Sequence, residues 1–128
     1  MENYIPEQIN KDNSILKTKS FLFAVRIVKL AQYLQKEKGE FILSKQILRS
    51  GTSVGALVRE AEYAQSKADF IHKLSIALKE ANETDYWLSL LFETKYIEEL
   101  LFKSLKSDCS EIIYILISSV KTVKNKIK

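Results

Sequence analysis

Four basic side chains and one tyrosine recur along a single face of the first long amphipathic segment. At 100° per residue they form a narrow polar strip, here called the basic strip, made of Lys19, Arg26, Lys29, Tyr33 and Lys36. Cations at this spacing suit a line of phosphates, and a tyrosine ring offers a surface on which a base can stack. The strip therefore predicts contact with nucleic acid, and a solvated helix face is the alternative.

A second group of cations lies near the carboxyl end of the sequence. No acidic residue follows Glu111, and the group consists of Lys121, Lys124, Lys126 and Lys128. Lysines also stabilise a helix C-terminus because they complement the helix dipole, which is the alternative explanation. Together with the basic strip, the predicted nucleic-acid-binding residues are Lys19, Arg26, Lys29, Tyr33, Lys36, Lys121, Lys124 and Lys128.

Residues that could support catalysis form no recognisable arrangement. Glu80 and Glu83 stand three apart and could in principle hold a metal, but di-metal bundles use Glu-x-x-His motifs, and His72 lies in none. Cys109 lacks a histidine for a dyad, and no Gly-rich phosphate loop, serine triad or zinc spacing occurs. We therefore predict no enzymatic activity, no cofactor and no metal, with ion pairs that fix helix register as the role of the carboxylates. An enzyme with an unfamiliar carboxylate site is the alternative.

The composition favours helices. The 128 residues include three glycines and one proline, too few for the turns of an all-β fold. Basic residues outnumber acidic ones by 20 to 16, and the net charge of +4 permits a polyanionic partner. With a single cysteine, no leader pattern and a longest apolar run over residues 112–117, the sequence predicts a cytoplasmic protein with no membrane partner.

The first predicted helix is apolar over an unusually wide part of its circumference. It should begin at Thr18 or Ser20 and end at Lys38, after a flexible arm over residues 1–16. Four apolar residues lie beside its main apolar face and widen it, namely Phe21, Ala24, Val25 and Val28. One neighbouring helix cannot bury so wide a face, and the third predicted helix is apolar on two sides as well.

Gly51 and Gly55 raise the question of whether the second helix breaks. Glycine costs roughly 0.8–1 kcal/mol relative to alanine inside a helix. The apolar period nevertheless keeps its phase through both glycines, whereas a turn would reset it. We therefore predict one helix that begins near Phe41 or Ser44, continues through Gln65 and meets another helix closely at the glycines. A kink near Gly51 is the alternative.

The third helix should begin at Ser66 or Lys67 and end at Glu93, and Ser66 with Asp69 resembles a capping box. Asp85 falls in its main apolar face, where an ionised carboxylate needs a cation or several donors.

The last part of the sequence predicts a short amphipathic piece over residues 96–105 and then a helix capped by Ser107, Asp108 or Ser110. A strand over residues 112–117 would have nothing to pair with. The resulting fold is all-α, an antiparallel up-and-down four-helix bundle over residues 17–128. Its surplus apolar surface predicts a homo-oligomer.

Three stretches carry a resemblance to a known family: SFLFAVRIVKLAQYL, LRSGTSVGALVREAEYAQSKADFIHKL and IALKEANETDYWLSLL. They resemble the bacterial four-helix-bundle family named after proteins encoded in intervening sequences of 23S rRNA genes, and the likeness covers about residues 18–126. The resemblance implies a homopentameric barrel with no established enzymatic activity. Similar proteins include the accessory protein of diversity-generating retroelements, a pentamer that associates with its reverse transcriptase and with nucleic acid.

These observations lead to one main function and one alternative. We predict a non-enzymatic oligomer that binds RNA or DNA, or a nucleic-acid-processing protein, through basic outer surfaces. The alternative is a protein-interaction scaffold without nucleic-acid contact, whose partner docks on exposed apolar or mixed surface near Trp87.

Overall fold

The protein folds as a four-helix bundle. A computed structural model describes residues 7–127, with side chains from residue 11 to residue 125. The helices are α1 (Glu7–Lys38), α2 (Leu43–Ala61), α3 (Lys67–Glu93) and α4 (Glu99–Ile127), and the described residues contain no strand. Consecutive helices pack together, and α1 also packs against α4, which closes the bundle. The predicted all-α four-helix architecture is confirmed.

The buried side chains come from the faces that the apolar period predicted. Each helix contributes at least three of them to one core, and examples are Phe23, Ile27, Leu34, Ile47, Val54, Val58, Phe70, Leu74, Leu88, Ile112, Leu116 and Val123. On α3 the helical period predicts Leu91 on the side opposite the main apolar face, but Leu91 is fully buried. The same period predicts Phe92 in the main face, but Phe92 is only half-buried and stacks on Phe102 with the ring centroids 4.4 Å apart.

The start of α1 differs from the prediction. The helix begins at Glu7, so the predicted start at Thr18 or Ser20 is wrong and residues 7–16, assigned to the arm, are helical. Residues 1–6 of the predicted arm lie outside the described part. In the added turns Leu16 is fully buried, and Lys17 Nζ lies 3.1 Å from a carboxylate oxygen of Glu62. Residues 7–16 contain three apolar side chains, Ile9, Ile15 and Leu16, which are too few to produce an apolar period, and the sequence therefore did not predict these turns.

Helix α2 continues through both glycines, as predicted, but it ends at Ala61, so the predicted continuation through Gln65 is wrong. A Cβ atom at Gly51 would lie 2.8 Å from Ile27 Cγ2, and one at Gly55 would lie 3.3 Å from the backbone oxygen of Ser20. Both glycines therefore face α1 at close range, and the predicted helix contact is confirmed. The hydroxyl of Thr52, between the two glycines, donates to the carbonyl of Leu48 at 2.6 Å, so this side-chain donor has its partner within α2.

The connectors that precede α2 and α3 are ordered by carboxylates. The carboxylate of Glu40 accepts hydrogen bonds from the backbone N–H groups of Ile42, Leu43 and Ser44 at 3.2, 3.0 and 2.7 Å. These are N-terminal helix donors that have no partner inside α2.

At the start of α3, the Ser66 hydroxyl accepts from the backbone N–H of Asp69 at 3.1 Å, and the Asp69 carboxylate accepts from the N–H of Gln65 at 3.2 Å. The predicted cap of α3 is confirmed, with Gln65 in the place of the usual reciprocal donor.

Helix α4 is one uninterrupted element, so the predicted division into a short piece and a capped helix is wrong. Ser107, Asp108 and Ser110 lie inside the helix and cap nothing. Leu105 and Cys109 are both buried, and they carry the apolar period across this polar stretch. Preference for a cap position is weaker than burial of a continuous face, and tertiary packing therefore decides the boundary.

Replacing Glu40 with glutamine should weaken the start of α2 in a pH-dependent way. Burial raises the pKa of the Glu40 carboxyl, but hydrogen bonds from the backbone of Leu43, Ser44 and Ile42 outweigh it, and the pKa lies below its ordinary value of 4.5. A lowered pKa in the folded state stabilises the protein above the unfolded-state pKa, and that stability is lost as the pH falls through the folded-state pKa. We expect Glu40→Gln to lower the free energy of unfolding by about 1 kcal/mol near neutral pH.

Urea unfolding followed by circular dichroism, at neutral pH and well below the pKa of Glu40, measures this effect. The difference between wild type and Glu40→Gln should shrink at the acidic pH. Glu37→Gln is the matched control, because Glu37 is exposed in the last turn of α1 and its replacement should change stability by no more than about 0.5 kcal/mol. A difference that is equally large at both pH values would contradict the capping role of the Glu40 carboxylate.

Candidate nucleic-acid interface

The basic strip lies along α1, and every residue in it is accessible to solvent to some degree. Lys29, Tyr33 and Lys36 are exposed, whereas Lys19 and Arg26 are half-buried. The buried residues of α1, such as Ile27 and Leu34, occupy the other side of the helix. The structure therefore brings the five predicted residues to one accessible face.

Two cations of the strip are already engaged by α4. Lys19 Nζ lies 3.0 Å from Glu111 Oε1, and Arg26 Nη1 donates to Asp108 Oδ2 at 2.7 Å. Sequence reasoning missed both pairs because the partners lie on another helix, far along the chain. Such partly exposed pairs contribute at most about 1 kcal/mol each, so a phosphate could compete for these cations.

The other two cations of the strip, Lys29 and Lys36, have no acidic partner within residues 11–125. Among the described residues, no carboxylate lies within ion-pair distance of Lys29 or Lys36. Between them along the helix, Tyr33 is 39% exposed, and Lys38 Nζ lies 6.0 Å from its ring centroid. Lys38, which the sequence analysis did not select, therefore adds a cation beside the one aromatic ring of the strip. This half of the strip has the strongest uncompensated positive charge.

A groove opens between α1 and α4 beside these residues. Its volume is about 330 Å³, and its lining consists of Arg26, Lys29, Leu30, Tyr33, Leu101 and Leu105. Leu30 and Leu105 are buried and form an apolar floor, and Leu101 is half-buried. The sequence could not reveal this groove because two of its residues come from the first turns of α4, which were assigned to a separate short piece.

The C-terminal lysines give weaker support than the basic strip for a nucleic-acid interface. Lys121 and Lys124 are exposed in the last turns of α4, while Lys128 and the side chain of Lys126 lie outside the described part. Within that part, no hydrogen bond or ion pair joins Lys121 or Lys124 to the basic strip. The helix dipole alone accounts for cations at this position.

The carboxylates of α3 form the ion pairs that the sequence predicted. The guanidinium of Arg49 on α2 contacts both Glu80, at 3.1 Å, and Glu83. Glu83 also accepts a hydrogen bond of 2.9 Å from Trp87 Nε1. These contacts fix α3 against α2 rather than leaving a set of free acidic groups.

Asp85 has the cation that its position requires, because Lys106 Nζ on α4 lies 2.6 Å from Asp85 Oδ1. Across residues 11–125, no three His, Cys, Asp or Glu side chains lie close enough together to hold a metal ion.

Cys109 and His72 occupy different environments. The Cys109 thiol is buried and donates to the carbonyl of Ala81 at 3.3 Å, and burial raises its pKa to about 12. The thiol is therefore protonated at neutral pH and is a poor nucleophile. His72 is exposed on α3.

The surplus apolar surface stays exposed on α1 and is partly buried on α3. Phe21 is 55% exposed and Val28 38% exposed, and the Arg59 guanidinium lies 5.9 Å from the Phe21 ring centroid. On α3, by contrast, Leu91 is fully buried and Trp87 packs against the core. The expectation of an uncovered apolar face is therefore confirmed for α1, and on α3 it is wrong for Leu91, whereas Ile76 and Leu90 are half-buried. None of the described helices is long and apolar enough to cross a membrane.

Comparison with known proteins shows the family of this chain and includes similar solved structures. The family model described as 23S rRNA-intervening sequence protein matches residues 12–118. A crystal structure from Bacteroides thetaiotaomicron, of a protein of unknown function from the S23 ribosomal protein family, is 58% identical with a TM-score of 0.85. The alignment covers 86% of this chain and 98% of that chain. No curated protein sequence matches significantly.

Proposed function

This chain belongs to the 23S rRNA-intervening sequence protein family, and from that premise we propose that it is a non-enzymatic cytoplasmic homo-oligomer that binds nucleic acid. The basic strip on α1 contacts RNA or DNA, or a nucleic-acid-processing protein. The observation that carries the proposal is the uncompensated positive charge of Lys29 and Lys36 on either side of the exposed Tyr33. Phosphates supply the opposite charge, and bases supply the rings that stack on tyrosine.

Antiparallel packing of neighbouring helices is part of the proposal. Lys17, in the first half of α1, pairs with Glu62 just after α2 at 3.1 Å. Gln35, near the end of α1, donates to the hydroxyl of Ser44 at the start of α2 at 3.1 Å. These two contacts support opposite directions for α1 and α2, as expected for an up-and-down bundle.

Assembly into a homo-oligomer is supported by the exposed apolar residues of α1, such as Phe21 and Val28, because monomeric proteins rarely expose contiguous apolar patches larger than about a few hundred Å². The resemblance to the family suggests five copies. A cyclic assembly would repeat the basic strip on every copy, so that contacts too weak to act alone would add through multivalency. The assembly thus determines how tightly the strip can bind.

A protein partner without nucleic acid is the second candidate function, favoured by one surface feature. The exposed Tyr86 ring packs edge-on against Trp87 with the centroids 4.9 Å apart, and Arg49 contacts Glu83, the same carboxylate that Trp87 binds. Tyr, Trp and Arg dominate the energetics of many protein interfaces. Such a partner should remain bound in pull-downs after nuclease treatment and at high salt, whereas a nucleic-acid complex should not.

Salt-dependent binding tests the main proposal. We expect Lys29→Gln/Lys36→Gln to weaken binding of RNA and DNA fragments, and to reduce the slope of log affinity against log salt by about two, roughly one per lysine. Conversely, Asp108→Asn/Glu111→Gln should strengthen binding at low salt, because Arg26 and Lys19 would lose their acidic partners. Gel shift or fluorescence anisotropy at several salt concentrations measures both effects.

Lys45→Gln/Lys79→Gln is the matched control, since it removes the same charge from exposed positions on α2 and α3. If this control weakens binding as much as the change at Lys29 and Lys36, net charge and not the basic strip is responsible. If the wild type binds no nucleic acid at low salt, the proposed function is wrong.

A further inference from the structure

The groove between α1 and α4 is distinct in character from the rest of the basic strip. The strip is a convex helix face, whereas the groove is a concave site with the buried leucines Leu30 and Leu105 as its floor. Its volume of about 330 Å³ lies at the lower end of the range for small-molecule sites, roughly 300–1,000 Å³. A single planar ring system fits such a volume, and a helix of another protein does not.

The charges at the rim specify an anionic occupant. Lys29 has no carboxylate within ion-pair distance among the described residues, and Lys38 lies beside the Tyr33 ring that lines the groove. Arg26 donates to Asp108 through Nη1 at 2.7 Å. A guanidinium carries five N–H donors, so Arg26 keeps further donors for a phosphate.

These features together match one nucleotide of a flexible strand. The leucine floor and the Tyr33 ring suit the flat apolar faces of a base, and Arg26 and Lys29 suit the phosphates on either side of it. In a duplex the bases are stacked and paired, so they could reach the leucine floor only after being extruded from the helix. An uncharged apolar ligand would leave the cations at the rim without a function.

We infer that the α1–α4 groove receives one unstacked base of a single-stranded nucleic acid, and that the protein therefore prefers single strands over duplexes. The inference rests on the proposed function and extends it from the charged strip to the leucines of α4. One base and two phosphates per copy give weak binding, and repetition of the site along a strand supplies the affinity.

Anisotropy of labelled oligonucleotides at low salt tests the inference. The probes are an oligothymidylate of about twelve nucleotides, a hairpin duplex of similar length, and an abasic strand with the same number of phosphates. The test variant is Tyr33→Leu, which keeps an apolar side chain at a partly exposed position. Tyr114→Leu, at a position that is 74% exposed on α4 and outside the groove, is the control. Leu101→Phe, which narrows the groove without changing any charge, is a second test variant.

We expect the wild type to bind the oligothymidylate more tightly than the duplex or the abasic strand. Tyr33→Leu should weaken oligothymidylate binding about tenfold and leave the other two probes unchanged, with a smaller loss in the same direction for Leu101→Phe. Tyr114→Leu should change none of them. Thermal unfolding of each variant verifies that the bundle is intact.

Several outcomes would overturn the inference. Equal wild-type affinity for all three probes, or an equal loss with Tyr33→Leu on all three, would mean that phosphates alone are recognised, and the proposed function would still stand. If Tyr33→Leu changes the molar mass of the assembly, the groove is a contact between copies of the protein and not a site for a base. Absence of binding to every probe at low salt would refute the inference and the proposed function together.

Discussion

Replacing Phe21 and Val28 with serine is expected to dissociate the proposed assembly and to weaken nucleic-acid binding by at least about 100-fold. These side chains are 55% and 38% exposed on α1, where they leave apolar surface that the bundle does not cover. Serine has nearly the same helix propensity as phenylalanine and valine, so α1 should persist. The net charge stays at +4, and any loss of affinity therefore reports lost multivalency and not lost charge.

Light scattering of the purified variant, together with anisotropy on the same sample, measures both parts of this expectation. The control is Leu100→Ser, because Leu100 is 84% exposed at the start of α4 and its replacement removes a comparable apolar side chain. A wild-type protein that is monomeric would refute the proposed assembly. Dissociation by Leu100→Ser, with Phe21→Ser/Val28→Ser still assembled, would place the contact between copies elsewhere.

Features encoded by neighbouring residues could be predicted from the sequence. The continuity of α2 through Gly51 was visible because the apolar period keeps its phase on both sides, and the period depends only on residues a few positions apart. The cap of α3 was visible because Ser66 and Asp69 stand three residues apart. The wide apolar face of α1 was equally local, and exposed Phe21 is its direct consequence.

Features that depend on which helices become neighbours could not be predicted in the same way. Nothing near Arg26 in the sequence indicates that Asp108, on α4, will accept its hydrogen bond. The Lys19–Glu111 pair is hidden for the same reason. Two of the four cations in the basic strip are thus partly neutralised by packing, which local sequence cannot report. The structure therefore places the uncompensated positive charge of the candidate site at Lys29 and in the last turns of α1.

The groove is hidden for a related reason. Its floor combines Leu30 of α1 with Leu105 of α4, and each leucine taken alone resembles an ordinary core residue. The predicted boundary of α4 was also wrong and placed Leu101 and Leu105 outside the last helix, which further prevented prediction of the groove. A concave site between two helices exists only once both helices and their separation are known, whereas a charged helix face can be recognised from one helix alone.

Gly51→Val should destabilise the bundle by about 2–3 kcal/mol, because a side chain at this position of α2 would overlap with Ile27 of α1. A Cβ atom there would lie 2.8 and 2.9 Å from Ile27 Cγ2 and Cγ1 and 3.2 Å from Ile27 Cβ. Ile27 is fully buried and β-branched, so it has little freedom to rotate away. Thermal unfolding at fixed protein concentration should show a midpoint lower by about 10 °C. Ala56→Val adds methyl groups at an exposed position of the same helix and should change stability by no more than about 0.5 kcal/mol.

A double-mutant cycle with Ile27→Ala separates steric overlap from any general effect of valine on α2. Ile27→Ala alone opens a cavity and should cost about 2–5 kcal/mol. In the double variant the new valine occupies part of that cavity, so the combined loss should be smaller than the sum by at least about 1 kcal/mol. Strict additivity would mean that Gly51 and Ile27 do not compete for the same space. The close approach of α1 and α2 would then not explain why α2 carries a glycine at this position.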